Sequence, residues 1–213
     1  MHKTAAEDIV AHAQSIGASG LGVGTAGNIS ARCDGGFLIT PSGVPYEKLT
    51  ADMIVYVGEN GTPEGDLSPS SEWRFHHDIY ASRPDAAAIM HCHSTHATAL
   101  ACLRRGIPAF HYMVAVAGGV DIRCGEYALF GTQALSDAAV EALEGRKACL
   151  LANHGQIAIG RSVEAAFGLA QEVEELAQQY AVALQVGEPV LLSAEEMAEV
   201  LEKFKAYGTR TEP

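Results

Sequence analysis

Apolar residues recur at three- and four-residue spacing at the start of the chain, at Ala6, Ile9, Val10, Ala13 and Ile16. That period predicts an amphipathic helix, opened by a Thr4-Ala-Ala-Glu7 capping box and ending near Gly17. A glycine-rich stretch, Gly17 to Gly27, follows. Two short apolar runs, Phe37–Thr40 and Ile54–Val57, read as strands on either side of the turn-like Pro41-Ser-Gly-Val-Pro45. Residues 59–69 are rich in Gly, Pro and acids and read as a hairpin or loop. Ser70 to Ser82 reads as a helix that stops before Pro84, Ala86 to His93 as a strand, and Thr95 to Arg105 as a short helix. Ala148 to Ala152 is another strand, ending at Asn153-His154-Gly155. A long helix is expected from about Val163 to Val186 with Ser162 as its N-cap. A last helix opens with a second capping box, Ser193 to Glu196, and stops at Gly208. Strands and helices interleave without linker or repeat. The expectation is one α/β domain over 1–213, layered around a mainly antiparallel or mixed central sheet.

Composition narrows the function. The formal net charge of −12 argues against a nucleic-acid partner, which needs a cationic surface to displace counterions. It leaves room for a phosphate ligand held by backbone amides and hydroxyls. Five cysteines with no C-x-x-C pair speak against a disulfide framework and for a reducing compartment. The start MHKTAAED has no apolar core of a signal peptide, and no apolar run approaches the ~20 residues of a membrane span. A cytoplasmic protein with no membrane partner is expected.

His91-Cys-His93 closes a predicted strand. Side chains two apart share a face, so two imidazoles point one way and Cys92 points the other, into the core. A third imidazole completes the pattern of a catalytic zinc site, three protein ligands and an open position. His154 follows another strand end and precedes a glycine. His96 is the rival, although a position at the start of the next helix turns it away from the strand face. Ser70-Ser-Glu72 offers two hydroxyls and the free N–H groups of a first helical turn to an anion. Glu72 could then be a ligand, an acid/base, or a glutamate favoured there by the helix dipole. Gly24 to Ser30 (GTAGNIS) and Ser42-Gly43 are further loops rich in small donors, and neither matches a P-loop or a dinucleotide fingerprint.

Taken in order, GTAGNIS, ITPSGVPYEKL, PSSEWRFH, HCHSTHA and NHG resemble the class II aldolase/adducin family. The likeness extends through IPAFHYMVAVAGG, ALFGTQ and the C-terminal EKFKAYG. It implies an αβα-layered fold and a homotetramer with active sites between subunits. It also implies a divalent metal, zinc with Mn2+ or Co2+ as alternatives. The family's metal histidines fall on His91, His93 and His154, and its acid/base, which also binds metal in the resting site, falls on Glu72. The phosphate cradle falls on Gly27, Asn28, Ser42, Gly43, Ser70 and Ser71. A tyrosine reaching in from the neighbouring subunit falls on Tyr112, and one closing over the site on Tyr207.

The activity implied is that of an aldehyde-lyase. It would cleave a phosphorylated ketose, such as L-fuculose 1-phosphate or a 5-deoxy- or 5-methylthio-pentulose 1-phosphate, to dihydroxyacetone phosphate and an aldehyde. Two alternatives share the fold. Pentulose-phosphate 4-epimerases carry Asp at the position of Glu72, and non-catalytic adducin-like modules lack the metal histidines that this chain keeps.

Overall fold

The computed structural model describes residues 2–205. Eight strands form one sheet: β1 (Asn28–Cys33), β2 (Gly36–Ile39), β3 (Val55–Gly58), β4 (Pro63–Glu64), β5 (Ala88–Cys92), β6 (Arg123–Gly125), β7 (Ala148–Leu151) and β8 (Gly155–Gly160). Their order across the sheet is β4-β3-β2-β1-β5-β8-β7-β6. Every neighbouring pair is antiparallel except β6–β7, which is parallel. The sheet is therefore mixed and mainly antiparallel, as the chain's patterning predicts.

Six α-helices accompany it: α1 (His2–Ser15), α2 (Trp73–Ser82), α3 (Thr95–Cys102), α4 (Gln133–Ala142), α5 (Val163–Val186) and α6 (Ala194–Lys205). Strand alternation divides the core in two. On one face Ile29, Ala88, Met90, Cys92, Leu150 and Ala158 pack with α1, α3 and α5. On the other, Ile39, Val57, Ile89, Leu151 and Ile157 pack with Phe75 and Ile79 of α2 and Leu135 and Ala139 of α4. This is an αβα sandwich. Cys92 is wholly buried in the first layer, so its neighbours His91 and His93 are left to the other side of the chain.

The long helix forms as expected, with Ser162 Oγ accepting from Ala165 N. The capping box at α6 is reciprocal: Ser193 N donates to Glu196 Oε2 and Glu196 N donates to Ser193 Oγ. Three readings need correction. Helix α1 already runs from His2, so Thr4 lies inside it rather than capping it. Helix α2 begins at Trp73, with Glu72 as its N-cap and Ser70 and Ser71 in the turn before it. Asn28, Ile29 and Ser30 are not loop but the first residues of β1. Strands β6 and β8 and helix α4 were not read from the sequence; β8 follows Asn153-His154 so closely that it hid behind the turn. The end of the last predicted helix, at Gly208, lies outside the described residues.

Among the described residues no helix is long and apolar enough to cross a membrane. One contact within the first layer ties α3, the helix that follows the histidine strand, to α5. The Glu174 carboxylate, on α5, accepts from the backbone N–H groups of His96 (2.9 and 3.1 Å) and Ala97 (3.0 Å) and from His96 Nδ1 (2.8 Å). The N-cap residue of α3, Ser94, makes no side-chain cap, so Glu174 does that work from another helix. Glu174→Ala should cost about 1–3 kcal/mol of folding stability. It should be read as a lower urea midpoint at unchanged m-value; a midpoint equal to wild type would refute the role.

Candidate metal centre

His91 stands one residue before the end of β5, directly opposite Asn28 of β1. Its Nδ1 donates to Gln156 O on β8 at 2.8 Å, which leaves the Nε2 lone pair free as a ligand. Nε2 of His93 lies 3.0 Å from Nε2 of His91. Glu72 places Oε2 at 3.1 Å from His91 Nε2 and Oε1 at 3.0 Å from His154 Nε2. The three imidazole centroids are all 4.9 Å apart, with interplanar angles of 71–82°. One ligand atom from each of Glu72, His91, His93 and His154 lies within 4.8 Å of every other. Three imidazole nitrogens and a carboxylate form a donor set suited to a divalent transition metal. Glu72 Oε1 is buried without a hydrogen-bond partner, an atom that a shared cation would satisfy.

Two glycines make this convergence possible. A Cβ on Gly27 (φ +93°) would sit 2.6 Å from His91 O, so β1 can approach the metal strand only with glycine there. A Cβ on Gly155 would sit 2.5 Å from Cys92 O and 2.8 Å from His93 Cδ2. The backbone turn before it is made not by Gly155 but by Asn153, at φ 55°. Gly155 is required for close approach rather than for turning.

Electrostatics follow from the packing. Burial pushes the Glu72 carboxyl up, but the imidazoles of His91 and His154 outweigh it and hold the group well below the usual carboxylate range. Burial, aided by the neighbouring His91 and His154, pushes His93 down to about 4. The first effect keeps the carboxylate ionised and the second keeps His93 unprotonated, the forms that bind a cation. At His91 burial is outweighed by the Glu72 carboxylate, which pushes that imidazole up.

A cleft of about 490 Å³ opens over the cluster, lined by Gly27, Asn28, Ser42, Gly43, Ser70, Ser71, Glu72, His93 and His154 together with residues unassigned from sequence: Thr25, Tyr127, Phe130 and Asn153 among them. Among the described residues no Lys or Arg lines it. Ser70 Oγ accepts from Asn28 Nδ2 (2.9 Å) and from Glu72 N (3.3 Å), so its own proton is free to point into the cleft. Tyr112 is elsewhere. It is 50% exposed, in a 3-10 turn (Tyr112–Ala117) that packs against α6, beside Val200 and Phe204. His96 is tied to Glu174 and is not one of the cluster. Tyr207 lies outside the described residues.

Sequence reasoning missed His76. It is fully buried and joined to Asn28 and Ser30. Its spacing of four from Glu72, one helical turn, was the available signal.

Comparison with known proteins agrees with this geometry. The family described as Class II Aldolase and Adducin N-terminal domain matches residues 7–181. A 5-methylthioribulose-1-phosphate/5-deoxyribulose-1-phosphate aldolase of Rhodospirillum rubrum is 58% identical over 196 residues, covering 92% of this chain and 89% of its own. An L-fuculose phosphate aldolase of Escherichia coli K12 is 55% identical over 194 residues, covering 91% and 90%. Among solved structures, an L-fuculose 1-phosphate aldolase superposes with a TM-score of 0.92 at 43% identity, covering 95% of this chain and 96% of its own.

The cluster makes a prediction that needs no substrate. Zn2+ added to chelator-treated protein at about 100 times its Kd should add about 2.7 kcal/mol of stability. For a domain of this size that is a rise in Tm of about 5–10 °C. His154→Ala should remove most of the rise and His96→Ala should keep it. An equal shift in both variants would show that zinc binds elsewhere.

Proposed function

We propose a function on one premise: the chain belongs to the class II aldolase and adducin family. It is a metal-dependent aldolase that splits a ketose 1-phosphate, reversibly, into dihydroxyacetone phosphate and an aldehyde. The observation that carries the reading is the meeting of two halves in one cleft. Glu72, His93 and His154 line the same cavity as the small-residue loops at Gly27, Ser42-Gly43 and Ser70-Ser71.

His91, His93, His154 and Glu72 hold the metal, zinc in this reading, with Mn2+ or Co2+ as substitutes. Bound there, the metal supplies Lewis acidity for the negative charge that cleavage leaves on the ketone-derived fragment. The phosphate sits among Gly27, Asn28, Ser42, Gly43, Ser70 and Ser71, held by hydroxyls and amides rather than by cationic side chains. As C3–C4 breaks, the C4 hydroxyl gives up its proton to become the aldehyde carbonyl, and the electron pair stays on C3. Glu72, having taken up a proton, delivers it there; in the synthetic direction Glu72 takes the C3 proton away and the aldehyde oxygen is protonated. One Glu72 oxygen is fixed by Asn28 Nδ2 at 3.0 Å while the other is without a hydrogen bond, which supports a part-time ligand that also moves a proton.

Tyr112 attends the aldehyde oxygen from a neighbouring copy of the chain in a homotetramer, and Tyr207 closes over the site. An exposed Tyr112 outside the chain's own cleft supports this placement. Residues 1–213 act as a single unit. A reducing, cytoplasmic setting is supported by five free cysteines. The substrate ends in a methyl or methylthio group: relatives named for L-fuculose phosphate and for 5-methylthioribulose/5-deoxyribulose 1-phosphate are 55% and 58% identical.

L-Fuculose 1-phosphate, 5-deoxyribulose 1-phosphate and 5-methylthioribulose 1-phosphate are the substrates to assay. At least one should yield dihydroxyacetone phosphate plus an aldehyde. Chelation should abolish the yield and zinc should restore it. A product with its carbon skeleton intact would make the protein an epimerase instead, and full activity after chelation would sink the metal's role. Glu72→Gln should fold normally and lose about two to four powers of ten in kcat; a wild-type rate would exclude Glu72 as the proton carrier.

A further inference from the structure

A polar row runs inward from Asn28, at the cleft wall, to side chains that do not line the cleft. Asn28, Ser30, His76 and Tyr80 are each no more than 6% exposed. His76 Nε2 meets Asn28 Oδ1 in a short hydrogen bond. His76 Nδ1 lies 2.6 Å from Ser30 Oγ, and Ser30 Oγ lies 2.8 Å from Tyr80 Oη. At the other end Asn28 Nδ2 donates to Glu72 Oε2 at 3.0 Å and to Ser70 Oγ at 2.9 Å.

Only one assignment of protons satisfies every member. A carboxylate accepts and never donates, so Asn28 must turn its NH2 to Glu72 and its carbonyl to His76. The carbonyl needs a donor, which places the His76 proton on Nε2. His76 Nδ1 must then accept from the Ser30 hydroxyl, and Ser30 Oγ from the Tyr80 hydroxyl. All donation runs one way, from Tyr80 through Ser30, His76 and Asn28 to the carboxylate. A proton on Nδ1 would turn the Ser30 hydroxyl toward Tyr80 and leave the Tyr80 proton without an acceptor in the row. Burial, with the neighbouring His91, opposes it too, holding His76 down at about 3. The ring is also wedged: it stacks on Phe75 at 4.7 Å and on Phe37 at 6.5 Å.

We propose that His76 is a positioning residue that, through the Asn28 amide, sets the rotamer of Glu72 and the direction of the Ser70 hydroxyl together. This deepens the aldolase reading and rests on it, since it takes Glu72 as proton carrier and Ser70 as phosphate ligand. Without the His76 donor, the Asn28 amide can invert, and its carbonyl would face both the carboxylate and the Ser70 oxygen.

Two variants separate positioning from packing. His76→Phe fills the space between Phe37 and Phe75 without a donor; His76→Gln returns an N–H near the position of Nε2. With zinc content unchanged, His76→Phe should lower kcat about 10- to 100-fold and His76→Gln should come within about threefold of wild type. His76→Phe should also weaken binding of inorganic phosphate by about five- to tenfold, and His76→Gln should not. Nitrogen-15 spectra of the zinc-loaded protein should show one imidazole, absent from His76→Gln, that stays neutral with its proton on Nε2 from about pH 5 to 9.

Wild-type kcat and phosphate affinity in His76→Phe would overturn the proposal. So would equal losses in both variants, or an imidazole protonated on Nδ1. If the wild type cleaved none of the three ketose phosphates, the functional reading would fall. Phosphate affinity and the tautomer would still decide for or against the relay.

Discussion

Glu72 brings a negative charge to a site that is 7% exposed, between His91 Nε2 at 3.1 Å and His154 Nε2 at 3.0 Å. A carboxylate so placed gives up hydration worth several kcal/mol and must recover it from fixed partners. Here three partners converge on it from separate parts of the fold. β5 supplies His91, the β7–β8 turn supplies His154, β1 supplies Asn28, and the turn before α2 supplies the carboxylate itself. Each backbone has to come closer than an ordinary side chain permits, which is why Gly27 and Gly155 lie flush against the carbonyls of His91 and Cys92. The central strands are thus spaced to compensate one buried acid as much as to build a core.

The same constraint accounts for a cleft wall with no Lys or Arg among the described residues. A cation beside Glu72 would compete with the metal for the carboxylate and would raise the cost of assembling four donors. With a divalent ion on one side and a phosphate on the other, the charges of the assembled site nearly cancel, and dipoles suffice for the rest. Hydroxyls and amides also keep their orientation without bringing a flexible charged stem into the cleft. A chain of net charge −12 that handles an anionic substrate is then no paradox, because recognition is local and made of aligned N–H and O–H groups.

Much of this was legible in the residues. The period-2 rule placed His91 and His93 on one side and Cys92 in the core, and the core layer that contains Cys92 bears it out. Ser162 and the Ser193–Glu196 box fixed two helix starts because side-chain caps are local chemistry. Where local chemistry competed with tertiary context, reading failed. GTAGNIS looks like a loop by composition, yet β1 starts at its asparagine because Asn28 pairs with His91 across the sheet. Thr4 has the right spacing for a cap but lies within a helix that starts earlier. His76 belongs to a motif that was seen, and its meaning was not, because a histidine four residues past a glutamate is ordinary until the strand bearing Asn28 is laid beside it. Tyr112 could not be judged from one chain at all, since its proposed role needs a second copy.

The buried row behind the cleft also bears on the two jobs proposed for Glu72. A carboxylate that is only a metal ligand gains from having both oxygens fixed; one that only moves protons gains from being free. Glu72 is asymmetric. Oε2 is held by Asn28, whose amide is held by His76, while Oε1 has no hydrogen bond of that kind and lies 3.0 Å from His154 Nε2. The fixed oxygen limits the carboxylate to small rotations about one anchored end, so a change of partner at Oε1 does not require the side chain to leave its place. In a well-packed interior, where rearrangement is expensive, confining the change to one atom would let one residue serve the metal and the substrate in turn, as proposed for Glu72.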